Sequence, residues 1–274
     1  MGRTIAQSLA INGASKVFII GRRHEKLLET EALGPKGTII PVVGDVSSKE
    51  SLQATYDTIA SQTGQVDVLV ANSGVLGPET RSSKPDGSKL ELSEIRDKLW
   101  ALPMDDFSST LHTNITGAFF TVVAFLPLLD AANKNRPKSV NGVSSAPTAQ
   151  VIITSSIAGF VRSIPVGIPY NVSKAGVNHL VKVLATYFTD YDIRVNGIAP
   201  GPYKSEMSTA MFEGRGSGVA DESMPRQLIP LGRGGSEQDI SGLLLFMTGV
   251  SGGFLNGCII VTDGGRLSVL PSSY

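Results

Sequence analysis

A tyrosine and a lysine have the spacing that most clearly suggests chemistry. In the segment YNVSKAGVNHLVKVLA, Tyr170 and Lys174 lie four positions apart, so both side chains share one face of a helix. A nearby ammonium favours a phenolate, and we therefore expect the pKa of Tyr170 to be lowered toward neutral pH. The pair is a candidate acid/base, and the alternative is an ordinary pair on a helix surface.

Three other polar residues occur where buried apolar structure is expected. Ser155 and Ser156 end the segment VIITSS, at the carboxyl end of a buried strand, which is where ligands meet open parallel sheets. A hydroxyl there could hold a substrate oxygen. Asn114 lies early in the apolar helix of HTNITGAFF, where an unpaired amide is costly. Its alternative role is a hydrogen bond between helices.

The elements that must position these residues alternate between strand and helix. Apolar strand-like runs fall at 17–20, 38–43, 66–71, 150–155, 192–198 and 257–262, and helical patterns near 24–32, 48–62, 106–132, 168–189 and 236–248. Such alternation predicts a parallel sheet covered on both faces, the doubly wound α/β fold. The intervening polar stretches are interpreted as loops rather than linkers, so residues 1–274 form one predicted domain.

Composition excludes several classes of partner. The 24 basic and 24 acidic residues balance and form no long block of one sign, which argues against nucleic acid and against an anionic membrane surface. Pro127 and several polar residues interrupt the most apolar stretch, which we interpret as a buried helix. Cys258 is the only cysteine, so no internal disulfide is possible and a reducing compartment, the cytoplasm, is expected. We expect Cys258 to be a small buried residue of the last strand.

The remaining candidate residues suggest no second chemistry. His24, His112 and His179 fall on separate elements without acidic or cysteine partners at metal-ligand spacing, so no metal site is predicted. Trp100 is either a partner-facing aromatic or, as we favour, a locally packed one. No Gly-x-Ser-x-Gly elbow between a predicted strand and a following helix supports a hydrolase.

Taken together, the motifs resemble the short-chain dehydrogenase/reductase family. GDVSS, VDVLVANSG, HTNITGAFF, VIITSSIAG, YNVSKAG, IRVNGIAPGP and VTDGG follow one another in the order of that family, from near one end of the chain to the other. The resemblance implies that Tyr170 is the general acid/base and that Lys174 lowers its pKa and holds the nicotinamide ribose. It also implies Ser156 as the donor to the substrate oxygen, and Asn114 as the anchor of a proton-relay water.

One catalytic assignment departs from the family pattern. Ser156 precedes Tyr170 by one residue more than is usual in the family, which leaves Ser155 as a weaker second candidate.

The resemblance also implies a homodimer or a homotetramer.

The same resemblance implies a nicotinamide cofactor, with NADP favoured over NAD. Arg22 and Arg23 stand where an NAD-specific member usually carries an acidic residue, and a guanidinium can pair with a 2′-phosphate. Two solvated arginines are the alternative. The other residues implied at the cofactor are Gly2 from the glycine-rich turn, Asp45 and Val46 at the adenine, Asn72, Ser73 and Gly74 in a turn, and Pro200, Gly201 and Ser205 at the nicotinamide end.

The start of the chain departs from the family pattern. Family members begin with a strand and a turn T-G-x-x-x-G-x-G, whereas this sequence begins MGRTIAQSLAINGA and only Gly2 matches, at the last glycine. We expect a chain truncated relative to the family, either because Met1 is an internal methionine or, as the less favoured alternative, because the protein is short. In the family strand order 3-2-1-4-5-6-7, strands 17–20 and 66–71 would then stand apart by two strand spacings, about 9–10 Å. We also expect such a chain to bind NADPH very weakly.

Two functions follow from these observations. The first is an NADP-dependent oxidoreductase that interconverts a ketone and a secondary alcohol, with Tyr170 transferring the hydroxyl proton. The second is a non-catalytic or cofactor-free protein that has lost the pyrophosphate-binding turn. Four apolar residues of the loop 202–235 suggest either a mobile lid over a medium-sized hydrophobic substrate or ordinary packing; they are Met207, Met211, Phe212 and Met224.

Overall fold

A computed structural model describes residues 1–84, 87–137, 146–164, 166–205, 208–212, 218–219 and 223–273. Within these ranges the strands are β1 (Val17–Gly21), β2 (Ile39–Val43), β3 (Val68–Ala71), β4 (Gln150–Thr154), β5 (Arg194–Pro200) and β6 (Ile259–Thr262). The helices are α1 (Gly2–Ile11), α2 (His24–Glu31), α3 (Lys49–Ala60), α4 (Leu92–Trp100), α5 (Met104–Leu111), α6 (Ala118–Asn135), α7 (Ile168–Tyr187), α8 (Thr209–Phe212) and α9 (Glu237–Thr248).

All of these strands pair in parallel, as the alternating sequence predicted. β1 pairs with β2, while β3, β4, β5 and β6 form a second sheet in that order. Each predicted strand is present, with its limits displaced by two residues at most. The doubly wound α/β fold is therefore confirmed.

The sheet is divided at the place where the sequence predicted a gap of two strand spacings, between β1 and β3. Among the described residues, β1 and β3 belong to different sheets and share no backbone ladder. Side chains join the two parts instead: Phe18 and Ile20 of β1 pack against the main core. Ser8 of α1 also donates a hydrogen bond of 2.6 Å to Ser241 of α9. The two-stranded part is thus attached by side chains and helices rather than by strand pairing.

The longest apolar stretch contributes to the main core. Residues Met104–Asn135 are long and apolar enough to cross a membrane by length and composition, and 44% of the most apolar window is buried within the protein. Val122, Phe125 and Leu129 are almost fully buried there and pack in the main core with the central strands. This packing is that of the buried helix expected from the sequence.

The predicted helix 106–132 is not one regular helix. It comprises α5, a π-helical turn at His112–Gly117 and α6. α4 was not expected, and it begins where a loop had been predicted, with none of its residues buried. Trp100 at its end is 77% exposed, and its described local contact is with Arg96, which lies over its ring. The preference for local packing over a partner-facing role stays a prediction. Cys258 is only partly buried and lies just before β6.

Candidate active site

Neighbouring parallel strands bring the candidate residues to one edge of the larger sheet. Asn72 follows β3, Ser155 follows β4 and Gly201 follows β5, and these three strands are adjacent. Because the carboxyl ends of parallel strands lie at the same edge, the segments after them form one crevice. The first turn of α7, which carries Tyr170, begins soon after β4.

The side chains of Tyr170 and Ser156 are neighbours in this crevice. Burial raises the pKa of the Tyr170 phenol, and a hydrogen bond with the Ser156 side chain partly opposes that rise. The Ser156 hydroxyl also accepts a hydrogen bond of 3.1 Å from the Ala158 amide, which caps a short 3-10 turn at Ile157–Gly159. The backbone therefore fixes the serine oxygen beside the phenol.

Lys174 lies one helical turn beyond Tyr170 and is 4% exposed. Its Nζ donates a hydrogen bond of 2.8 Å to the Thr154 carbonyl and lies 5.7 Å from the centroid of the Tyr170 ring. Burial penalises the ammonium and lowers the pKa of Lys174 to about 8.

The expected effect of Lys174 on Tyr170 is not found in this structure. We predicted a lowered pKa for the tyrosine, whereas burial raises it. The physical reason is that removal of a phenolate from water outweighs the favourable contacts around the phenol. Tyr170 is therefore a protonated phenol at neutral pH.

The two neighbouring serines have different surroundings. Ser155 is 2% exposed, and its hydroxyl donates to Asn178 Oδ1 at 2.5 Å and lies 3.2 Å from the Lys174 carbonyl oxygen. These contacts join the end of β4 to α7. Ser156 is only partly buried and meets Tyr170, so the geometry favours Ser156 over Ser155 as the partner of the tyrosine.

Asn114 connects three segments of the site from within the π-helical turn. Its side chain accepts from the Val75 amide at 2.8 Å and donates to the Val75 carbonyl at 2.9 Å and to Ser173 Oγ at 2.9 Å. Ser173 in turn donates to the Tyr170 carbonyl at 2.8 Å. The side chain thus has the bridging role that we had considered as an alternative; its role toward a proton-relay water stays a prediction.

The turn after β3 lies against the same cluster. A Cβ on Gly74 would come within 3.1 Å of Asn114 Oδ1 and 3.5 Å of Lys174 Nζ, so glycine keeps this approach open. Asn72 accepts a hydrogen bond of 3.2 Å from Thr154 Oγ1, and its Nδ2 would lie 2.9 Å from a Cβ on Gly2. Ser73, which lies between Asn72 and Gly74 in the turn, is exposed.

The residues predicted at the adenine end lie together at the ends of β1 and β2. Arg22 follows β1, and Arg23 is the N-cap residue of α2. Arg22 Nη1 lies 3.9 Å from Asp45 Oδ2. Hydrogen bonds from Ser47 are the main reason that the pKa of Asp45 is lowered, and Arg22 adds to the effect. The backbone carbonyl of Val46 faces Gly117 of the π-helical turn.

The residues predicted at the nicotinamide end are fixed in turns. Pro200 ends β5, and the Gly201 amide donates a hydrogen bond of 2.9 Å to the Thr262 carbonyl. Ser205 is paired with Ser208 at 3.1 Å. None of the described contacts brings Ser205 to Tyr170.

Part of the predicted apolar lid is packed into the protein. Phe212 and Met224 are 4% and 2% exposed and form a small core with Ile229. This favours ordinary packing for these two residues. Met207 lies outside the described residues, and so does the side chain of Met211.

Sequence reasoning missed several partners of the site. The Thr154 carbonyl that holds Lys174 is a backbone atom and leaves no signal in the residue type. Asn178 and Ser173 were not singled out, although both lie four residues or fewer from Lys174 on α7. In the described part of the chain, no cluster of three His, Cys, Asp or Glu side chains could hold a metal ion.

Comparison with known proteins defines the family. Residues 1–266 match a family described as enoyl-(acyl carrier protein) reductase. The short-chain dehydrogenase/reductase PhomF of Diaporthe leptostromiformis is 41% identical, over 100% of this chain and 90% of its own length. The short-chain dehydrogenase/reductase SAT3 of Stachybotrys chartarum is 39% identical, over 98% of this chain and 100% of its own.

A solved structure has the same fold. It is the active-site complex of Pseudomonas aeruginosa RhlG with NADP, which is 26% identical, covers 97% of this chain and 91% of that chain, and has a TM-score of 0.75. The fold, the family match and the named relatives define an oxidoreductase of the α/β class. The chain belongs to the short-chain dehydrogenase/reductase family, as its motifs suggested.

Proposed function

We propose that this protein is an NADP-dependent oxidoreductase that interconverts a ketone and a secondary alcohol, with Tyr170 as the acid/base. The observation that carries the proposal is the cluster at the end of β4, where the Tyr170 phenol meets the Ser156 hydroxyl beside the buried ammonium of Lys174. These three groups can hold a carbonyl oxygen, protonate it and stabilise the charge that is left.

Each side chain has a distinct part in this chemistry. Ser156 donates a hydrogen bond to the substrate oxygen and orients it toward the phenol. Tyr170 is protonated at neutral pH because burial raises its pKa, so it can deliver a proton as the carbonyl becomes an alcohol. Lys174 stabilises the phenolate that remains. A bound nicotinamide cofactor supplies hydride chemistry.

The residues around Lys174 suit the nicotinamide half of such a cofactor. The described residues provide one hydrogen-bond acceptor, the Thr154 carbonyl, for the three N–H donors of Lys174. The remaining N–H donors of this buried ammonium suit the hydroxyl groups of a ribose. The absence of a Cβ at Gly74 leaves room for the ribose beside Lys174 Nζ. These observations support Lys174 and Gly74 as cofactor-binding residues.

The preference for NADP depends on two arginines. The related structures include one complex with NADP and another with NADH, so the argument comes from Arg22 and Arg23 of this chain. We expect replacement of both by glutamine to raise the Kd for NADPH by about tenfold or more, and the Kd for NADH little. The reason is that only NADPH loses a charge-assisted pair, a loss of about 1.5–3 kcal/mol.

Equilibrium titration with each cofactor measures this difference. Arg96→Gln, on the exposed helix α4, is the control for the loss of positive charge. Equal weakening of NADPH and NADH binding would show that Arg22 and Arg23 do not recognise the 2′-phosphate.

The substrate that we propose is a hydrophobic small-molecule ketone or the corresponding alcohol. The named relatives include a 3-oxoacyl-[acyl-carrier-protein] reductase for rhamnolipids and a trans-4-hydroxycyclohexanecarboxylate dehydrogenase.

We also propose a homodimer or homotetramer in the cytoplasm. The lone Cys258 supports a reducing compartment, and analytical ultracentrifugation measures the oligomeric state.

The second candidate is a protein without catalysis or cofactor. The division of the sheet between β1 and β3 favours it. Gly2, the residue that matches the pyrophosphate-binding turn of the family, lies against Asn72 at this division, so the cofactor would have to bind where the sheet is interrupted. This candidate is expected to bind NADPH very weakly.

Transfer of deuterium distinguishes the two candidates. The purified protein is incubated with NADPH deuterated at the transferred position and with cyclic, aromatic and 3-oxoacyl thioester ketones. We expect a secondary alcohol carrying deuterium on its carbinol carbon, detected by mass spectrometry. The absence of labelled alcohol across this set, together with no saturable NADPH binding, would support the non-catalytic candidate.

A further inference from the structure

The helix that carries Tyr170 has no cap of its own. Its N-cap residue, Gly167, has no side chain with which to accept a hydrogen bond, and Pro169 in the first turn has no N–H. The amide of Ile168 instead donates a hydrogen bond of 2.7 Å to Thr80 Oγ1. Thr80 lies 88 positions earlier in the chain. Thr80 is 5% exposed. A distant loop therefore completes the start of α7.

The loop that contains Thr80, residues 75–80, is itself held against the site. The Asn114 side chain forms hydrogen bonds with both the backbone amide and the backbone carbonyl of Val75. Gly77 has a φ of +69° and passes so close to Thr110 that a Cβ would not fit. The Pro78 carbonyl faces Gly167, where again a Cβ would clash. These three contacts fix the direction in which Thr80 presents its hydroxyl to α7.

We infer that Thr80 is a positioning residue for the acid/base tyrosine. Its hydroxyl anchors Ile168, two residues before Tyr170, and thereby sets the place of the phenol relative to Ser156. This inference depends on the proposed function, in which Tyr170 transfers the proton. Displacement of a reacting group by about 1 Å can cost about a hundredfold in rate, so loss of this anchor should affect turnover more than binding.

Replacement of Thr80 by valine tests the inference, because valine keeps the shape and removes the acceptor. We expect kcat for ketone reduction to fall by about tenfold to a hundredfold, while the KM for NADPH changes by less than about twofold. Thr80→Ser keeps the hydroxyl and should restore most of kcat. Thr80→Cys, with a much weaker acceptor, is the second variant should the valine variant not fold, and a similar fall in kcat is expected.

Thr30→Val is the matched control. Thr30 is 4% exposed and donates a hydrogen bond of 2.8 Å to the Lys26 carbonyl within α2, away from Tyr170. This control should lose stability without loss of kcat. A merely structural role for Thr80 predicts the same pattern in Thr80→Val.

The outcomes separate this inference from the proposed function. If Tyr170→Phe is inactive while Thr80→Val or Thr80→Cys keeps the kcat of the unaltered protein, the inference is wrong and the proposed function stands. Equal losses of kcat in Thr80→Val and Thr80→Ser would also overturn the inference. If Tyr170→Phe retains activity, the assignment of the acid/base is wrong, and Thr80 has no such residue to position.

Discussion

Burial acts in opposite directions on the two ionisable side chains of the site. It raises the pKa of the Tyr170 phenol and lowers that of the Lys174 ammonium to about 8. A proton donor and a cation are consequently present together near neutral pH. The sequence predicted that these residues are adjacent, because four positions make one helical turn. It could not predict the direction of the tyrosine pKa, which depends on how completely the fold removes water.

The lowered pKa of Lys174 predicts a pH dependence of stability. Between about 8 and the ordinary value of 10.5, the unfolded chain retains a proton that the folded protein has lost. The free energy of unfolding contributed by this group therefore rises with pH across that window, by roughly 3 kcal/mol in total. Below about pH 8 the cost of the buried charge is fully present.

Chemical denaturation of Lys174→Met at several pH values measures this contribution. The stability of the variant relative to the unaltered protein should be greatest near neutral pH and should decrease as the pH rises through the window. Lys182→Met, at an exposed position of the same helix, controls for the loss of a lysine. A difference between Lys174→Met and the unaltered protein that does not vary with pH would contradict the argument.

At the scale of elements, the strands were predicted well and the connections around the site were not. Continuous apolar runs identify buried strands such as β4 and β5, whose residues are all buried. The π-helical turn that holds Asn114 leaves no distinct pattern, because its extra residue is accommodated by tertiary contacts to Val75 and Ser173. α4 was missed since none of its residues is buried.

The divided sheet predicts unequal stability among the strands. β1 pairs only with β2 in the described structure, and all five of its residues are partly exposed. β5 is paired on both sides and fully buried. We expect the backbone amides of Val17–Gly21 to exchange with solvent deuterium at a lower free energy of opening than those of Arg194–Pro200. Equal protection of the two strands in native-state exchange would show that side-chain packing alone makes the sheet one cooperative unit.

At the scale of the whole molecule, the order of elements brings three distant segments to one crevice. Residues after β3, residues after β4 and the first turn of α7 meet because adjacent parallel strands end at the same edge. Motif order was sufficient to predict this meeting. The family resemblance favoured Ser156 over Ser155, but the hydrogen bond from Ser155 to Asn178, which distinguishes their surroundings, could not be predicted from the residue types.

The most direct test of the account is the transfer of deuterium from labelled NADPH in Tyr170→Phe. This variant keeps the aromatic ring and removes the proton that we assign to the reaction. We expect it to bind NADPH nearly as well as the unaltered protein and to form no labelled alcohol. Tyr187→Phe is the matched control, since Tyr187 lies at the far end of α7 and is 72% exposed; it should retain full activity. Substantial labelled alcohol from Tyr170→Phe would contradict the central claim that this phenol is the acid/base.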